Sequence, residues 1–262
     1  VKHMVGFNYR RVPAIQIAKQ LIESGKLGKI YHYRATYLQD WIVDPEFPLV
    51  WRLQKEKAGS GPHGDLNAHI IDLSHYLVGD IDKVIGMNET FIKKRPVLKE
   101  TSPGLSAKGS TEYGEVTVDD ATLFLAKFKE GPLGSFEATR FATGRKNFER
   151  IEINGSKGSL VFNFERMTAH LNGYDDDEPN QQGFKTIMVT EPTHPYISAW
   201  WPPGHIIGYE HTFIHEVYDL MQAIGRNEMP SPDFEDGVKC QAVLEAVEKS
   251  IKEEKWVKIE ER

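Results

Sequence analysis

ATLFLAKFKEGPLGSFEATRF, residues 121–141, decides the fold. Ala121 to Phe128 alternates apolar and polar residues with a period of two, as a strand buried on one face requires. Glu130-Gly131-Pro132-Leu133-Gly134 is turn chemistry, and Ser135 to Phe141 reads as the returning strand. Two further strands, 148–154 and 159–164, flank Gly155-Ser156-Lys157-Gly158 as a hairpin. The β texture extends from Lys83 to Val189, and residues 30–38 alternate as one more strand. Helices frame it. Residues 13–25 begin with Pro13, carry an apolar stripe of Ile15, Ala18 and Ile22, and stop at Gly25. Others are expected over 65–77, ending at Gly79, over 209–224 and over 235–253, with a short strand near 256–259. Sequential strands with grouped helices predict an α+β fold: a large, mostly antiparallel, open-faced sheet with helices packed on one face. The other face, rich in Val, Phe and Ile, is expected to be buried in a homodimer or homotetramer. With no internal repeat and no low-complexity linker, residues 1–262 read as one domain.

Composition narrows the function classes. The 262 residues are 40% hydrophobic and 27% charged, which is ordinary for a globular chain. The net charge is −6 with both signs dispersed, so the basic stripe that nucleic acid demands is missing. No apolar run reaches membrane-span length. The acidic run Asp175-Asp176-Asp177-Glu178 sits among Asn, Gly, Pro and Gln and reads as a solvated loop. Cys240 stands alone, which suits a reducing, cytoplasmic setting, and its helical context marks it as a core residue rather than a nucleophile.

Gly59-Ser60-Gly61-Pro62-His63-Gly64 matches the dinucleotide pattern G-x-G-x-x-G. It lacks the context. The preceding residues 51–58 are too charged for a buried parallel strand, and Pro62 interrupts the point where a helix should offer its N–H groups. The match is rejected as a cofactor cradle. Directly after it, Asp65, His69 and Asp72 fall at i, i+4 and i+7 of the expected helix, on one face. A carboxylate beside an imidazole is suited to proton transfer near neutral pH. The bland reading is a capping Asp and a His that satisfies a neighbour.

The segment Ala58-Gly59-Ser60-Gly61-Pro62-His63-Gly64-Asp65-Leu66-Asn67-Ala68-His69-Ile70-Ile71-Asp72-Leu73 resembles the glycine-rich D-x-x-x-H motif of the Gfo/Idh/MocA oxidoreductases, the glucose–fructose oxidoreductase and inositol dehydrogenase family. Other pieces resemble that family in the same order: Val5 to Arg11, Gly25 to Ile30, Val118 to Thr122, Gly155 to Gly158 and Ala246 to Ser250. The resemblance implies the substrate-binding and catalytic C-terminal half of an NAD- or NADP-dependent enzyme acting on a sugar or cyclic polyol. The chain is expected to begin at the junction from a nucleotide-binding (Rossmann) domain that it lacks. By the same resemblance His69 is the acid–base residue, with Asp65 orienting substrate or imidazole. The family's E-K-P lysine has no counterpart here. Asn8, Tyr9, Arg10, Gln39, Asp40 and Trp41 resemble sugar-pocket positions, and Asn67, where the family commonly has glycine, would occupy pocket space. The main cofactor site would lie in the missing domain, so this chain alone is expected to bind no cofactor tightly and to transfer no hydride.

Two rival readings stay open. His211 and His215, at i and i+4, could ligate zinc with a third ligand from His69 or Asp65, although Glu216 is misplaced for H-E-x-x-H. Alternatively the fold is a non-catalytic sugar-binding or dimerisation module.

Overall fold

The computed structural model describes residues 1–101, 107–166, 170–175, 180 and 182–260. The first helix, α1 (Pro13–Glu23), takes Pro13 in its first turn, where a missing N–H costs nothing. It ends in a Schellman motif: Gly25, at φ 74°, and Lys26 donate back to Ile22 and Leu21. The chain continues through β1 (Ile30–Leu38), a one-turn helix α2 (Lys55–Ala58), a π-helical turn (His63–Asn67) and α3 (Ala68–Leu77). Strands β2 (Ile81–Glu89), β3 (Lys94–Thr101), β4 (Ala107–Glu115), β5 (Ala121–Phe128), β6 (Leu133–Thr139), β7 (Phe148–Gly155), β8 (Gly158–Asn163), β9 (His170–Asp175) and β10 (Lys185–Met188) follow. The chain closes with α4 (Tyr209–Arg226), α5 (Phe234–Glu253) and β11 (Val257–Lys258).

Nine strands form one sheet in the order β10-β9-β8-β7-β1-β6-β5-β2-β11. β1 and β6 run parallel, and the remaining pairs are antiparallel. The α+β, mostly antiparallel expectation therefore matches the described sheet. Strand alternation decides its two faces. Tyr33, Ala35, Phe124, Ala126, Phe136, Ala138, Ile151 and Ile153 point into a core closed by Ile15 of α1, Ile70 and Leu73 of α3, and Val243 and Val247 of α5. Phe124 and Phe136, cross-strand partners, stack with centroids 4.3 Å apart. On the opposite face Met87, Leu123, Leu125 and Leu133 remain exposed, and the first three border a shallow groove of about 570 Å³.

Several details depart from the sequence reading. β3 and β4 pair as a separate two-stranded sheet, over a small second core of Ile42, Leu49, Leu53, Val116 and Val118. Arg95, fully buried, ties that arm to the loop after β1 by donating to the carbonyls of Ile42 (2.5 Å), Asp44 (2.7 Å) and Phe47 (3.2 Å). The helix expected over 65–77 starts as the π turn, whose wider winding displaces Asp65 from the place one α-turn above His69. Asp176, Asp177 and Glu178 of the acidic run lie outside the described residues.

The glycine-rich stretch also finds its physical role. It follows α2, a helix rather than a strand. The N–H groups of Gly61 and His63 donate to the two carboxylate oxygens of Asp119, at 2.6 and 2.9 Å, and Thr122 Oγ1 donates to the same group. A side chain supplies the anion that a pyrophosphate would supply in a nucleotide cradle. Gly61 is required because a Cβ there would lie 1.9 Å from the Asp119 carbonyl oxygen. This stretch does not fit a dinucleotide.

Candidate active site

His69 opens α3 inside an aromatic box. The rings of Tyr9 (4.7 Å), Phe7 (6.2 Å) and Tyr37 (6.2 Å) surround it. Tyr9 in turn packs edge-on against Phe164 at 4.9 Å, and Tyr209 closes the wall against Phe164 at 5.8 Å. His69 as a residue is partly buried, and its Nδ1 is sealed and without a hydrogen-bond partner. The packed surroundings push its pKa down to about 4, against the pull of Asp65. The imidazole is therefore neutral at pH 7.

Asp65 is held elsewhere than expected. Its carboxylate takes a short hydrogen bond from Arg140 Nη2, and Asp65 itself stays half exposed. Arg140, fully buried just beyond β6, lies over the Trp41 indole at 5.1 Å. Asp72 leaves the site altogether. Arg10 grips it with two hydrogen bonds, Nε at 2.8 Å and Nη2 at 2.6 Å, and reaches Asp236 and Ser231 as well. Nε and Nη2 of Arg10 are thus engaged in a tie from the segment before α1 to α3 and α5, and Nη1 makes a longer contact of 3.4 Å to Ser231. Arg10 is buried, and its guanidinium serves the packing of α3 and α5, where the sequence reading expected a pocket residue.

The other expected pocket residues divide. Asn8 is buried and donates to Thr212 at 2.9 Å, and Asp40 is paired with Lys146 and with the Gly144 N–H. Asn67 is fully buried, its Nδ2 3.3 Å from His63 Nδ1, while His63 Nε2 faces the Leu244 carbonyl at 3.0 Å. Its amide fills the helix–helix seam rather than a pocket. Tyr9, Gln39 and Trp41 are brought together. Tyr9 and Tyr37 share a hydrogen bond of 2.5 Å, Tyr37 donates to Asn147 Oδ1 at 2.8 Å, Gln39 Nε2 donates to the same oxygen at 2.9 Å, and Trp41 Nε1 donates to Gln39 Oε1 at 2.9 Å. Burial raises both phenols well above the ordinary tyrosine value, so both stay protonated. Sequence reasoning missed Asn147, Arg140 and Tyr209. Only the pairing of β6 and β7 with β1 delivers the first two beside residues 37–41, and local sequence carries no signal of it.

The zinc reading fails on geometry. His215 Nε2 accepts from Trp200 Nε1 at 2.8 Å, so its Nδ1 carries the proton facing the Arg11 carbonyl at 3.1 Å. His211 Nδ1 accepts the Gly208 N–H at the start of α4. Neither nitrogen of His215 is free to ligate. Cys240 is buried beside the Ala68 carbonyl, and burial pushes its thiol above the ordinary range, which makes it a packing residue.

Residues 15–161 match the model of the GFO/IDH/MocA C-terminal domain. The chain belongs to that family. Levoglucosan dehydrogenase of Pseudarthrobacter phenanthrenivorans is 43% identical over 265 residues, covering 99% of this chain and 67% of its own length. An oxidoreductase domain protein from Kribbella flavida superposes with a TM-score of 0.93 at 56% identity, over 100% of this chain and 67% of that one. Levoglucosan dehydrogenase in complex with NADH and levoglucosan superposes at 0.91 with 42% identity, over 99% of this chain and 66% of that one. The chain thus spans about two thirds of the length of the relatives it matches. Among the described residues no helix is long and apolar enough to cross a membrane.

Proposed function

We propose that this chain is the sugar-binding and proton-handling part of an NAD- or NADP-dependent oxidoreductase acting on a sugar or cyclic polyol, with an anhydrosugar such as levoglucosan as the first candidate. One observation carries the reading: a neutral imidazole beside a connected row of polar groups, walled by aromatic rings. Aromatic faces and aligned hydrogen-bonding groups recognise a polyhydroxylated ring. A bound nicotinamide would supply the hydride acceptor or donor. The chain's own residues do the rest. His69, neutral above about pH 4, is free to take the proton of the substrate hydroxyl at Nε2. Asp65, fixed by Arg140, orients a hydroxyl with its remaining oxygen, and Tyr9, Phe164 and Tyr209 keep water out.

Two expected outcomes test this. Titrating levoglucosan into the chain in a calorimeter should give binding that weakens about tenfold in Gln39→Ala, the loss of a hydrogen bond. In the holoenzyme, His69→Ala should lower kcat about 10²–10⁴-fold with a smaller change in KM. Silence in the calorimeter for levoglucosan and for myo-inositol alike would remove the sugar reading, and an unchanged kcat would remove His69 from proton transfer.

The same proposal includes a homo-oligomer through the open sheet face. Met87, Leu123, Leu125 and Leu133 form an exposed apolar patch there, which a soluble monomer rarely keeps. Sedimentation equilibrium should show dimers or tetramers at micromolar concentration that dissociate in Leu125→Glu; a native monomer would count against it.

A further inference from the structure

The row of groups ending at Tyr9 has a direction, and it can be read from chemistry without locating a hydrogen. An indole N–H only donates. Trp41 Nε1 meets Gln39 at 2.9 Å, so the Gln39 atom there is its carbonyl oxygen and its other terminal atom is the NH2. That NH2 meets Asn147 at 2.9 Å, so the Asn147 atom is also an oxygen. The same oxygen lies 2.8 Å from the Tyr37 hydroxyl, which must give it its single proton. Tyr37 then has only lone pairs for Tyr9, 2.5 Å away, and Tyr9 must be the donor between them. Tyr9 has spent its proton inward.

We propose that Trp41 is a positioning residue that sets the polarity of this row, so that Tyr9 offers the sugar an acceptor alone and selects a hydroxyl over a carbonyl, ether or fluorine at the ring position it meets. The selection rests on the sugar-binding reading above; the polarity does not. The opposite polarity is chemically complete once the indole is gone. With both amides turned over, Asn147 donates to Gln39 and to Tyr37, Tyr37 donates to Tyr9, and Tyr9 donates outward. The two states differ by which amide faces which oxygen. A donor-only group at the end of the row is what distinguishes them, and a phenylalanine at position 41 would keep the ring while removing it. Trp41 also bears the Arg140 guanidinium on its face, which places the Asp65 side of the site and the Tyr9 side on one ring.

The test is solution NMR of the unliganded chain, with the side-chain amides of Gln and Asn labelled with nitrogen-15. In the native chain, cross-relaxation to the Tyr37 hydroxyl and ring edge should come from the Gln39 amide protons and not from those of Asn147. Trp41→Phe should shift this pattern toward Asn147. Gln39→Glu, which keeps the indole but puts acceptors at both ends of residue 39, should turn Asn147 round completely. Asn147 amide protons facing Tyr37 in the native chain would overturn the inference, and so would a pattern unchanged in both variants. A second arm reads the selection: levoglucosan analogues with one hydroxyl replaced by fluorine are titrated into native chain and Trp41→Phe. One analogue should bind about tenfold more weakly than levoglucosan to the native chain, a gap that narrows to about threefold in the variant. An equal gap in both overturns the selection. If no sugar binds at all, the sugar reading has failed, and the amide pattern still decides the polarity.

Discussion

Arg10→Met is expected to destabilise the protein by about 3–5 kcal/mol, the cost of leaving a buried charge without its partner. Arg10 and Asp72 are both almost wholly buried, and their two hydrogen bonds join the segment before α1 to α3, with Asp236 extending the tie to α5. Burial pushes the Asp72 carboxyl up to about 6 even with Arg10 bound to it. Methionine preserves most of the volume but removes every donor, so Asp72 must either take up a proton or admit water. Urea denaturation at pH 7.5 measures the loss. The double variant Arg10→Met/Asp72→Leu separates charge from packing: it should recover most of the deficit, since removing both partners of a buried pair is often nearly neutral. A double variant as unstable as the single one would show that shape, not charge, is what Arg10 supplies. A single variant within about 0.5 kcal/mol of the native chain, the range of ordinary surface substitutions, would mean the pair is not buried in solution.

That example also shows what sequence could and could not reveal. The period-two pattern of residues 121–128 predicted which residues enter the core because alternation is a local consequence of strand geometry. The stop at Gly25 was legible for the same reason: a left-handed position after a helix is a local demand. The partners of charged residues were not. Asp65, His69 and Asp72 looked like one face of a helix, but a π turn shifts Asp65, Arg140 claims it, and Arg10 claims Asp72. Those cations lie 75 residues after Asp65 and 62 residues before Asp72, and spacing on one helix says nothing about either. Gln39, Asp40 and Trp41 were singled out by family resemblance, yet the Asn147 that connects Gln39 to Tyr37 arrives through the β1–β7 register. The glycine-rich stretch was set apart from nucleotide cradles by its charged, proline-broken context. What it does instead, wrapping its N–H groups round Asp119, needed the fold.

Glu149→Gln is expected to stabilise the protein above neutral pH and to change little at pH 5. Glu149 faces inward from β7 opposite Tyr37, is fully buried, and has no hydrogen-bond partner on either oxygen. Burial, with a smaller push from Asp72, raises its pKa from 4.5 to about 8. The folded state therefore holds a proton that the unfolded state releases between those two values. Below about pH 4.5 both states are protonated and the group costs nothing extra; stability falls as pH rises from there through about 8, and is constant beyond. The difference across that window is of order 3–5 kcal/mol, at about 1.4 kcal/mol per pKa unit. Glutamine has nearly the same shape and does not titrate, so the variant lacks this slope while every other group contributes to both curves alike. Thermal melts of native chain and variant at half-unit steps from pH 5 to pH 9 make the comparison. At about 2–4 °C per kcal/mol for a domain of this size, the two Tm curves should meet near pH 5 and separate by roughly ten degrees at pH 9. Parallel curves would mean that Glu149 reaches water or a partner in solution. A variant stabilised equally at all pH values would place its effect in packing. The direction matters for the site as well, because Glu149 raises the pKa of both Tyr9 and Tyr37. Kept protonated, it leaves the aromatic box uncharged, which is the state in which Tyr37 can give its proton to Asn147 and Tyr9 can give its own to Tyr37.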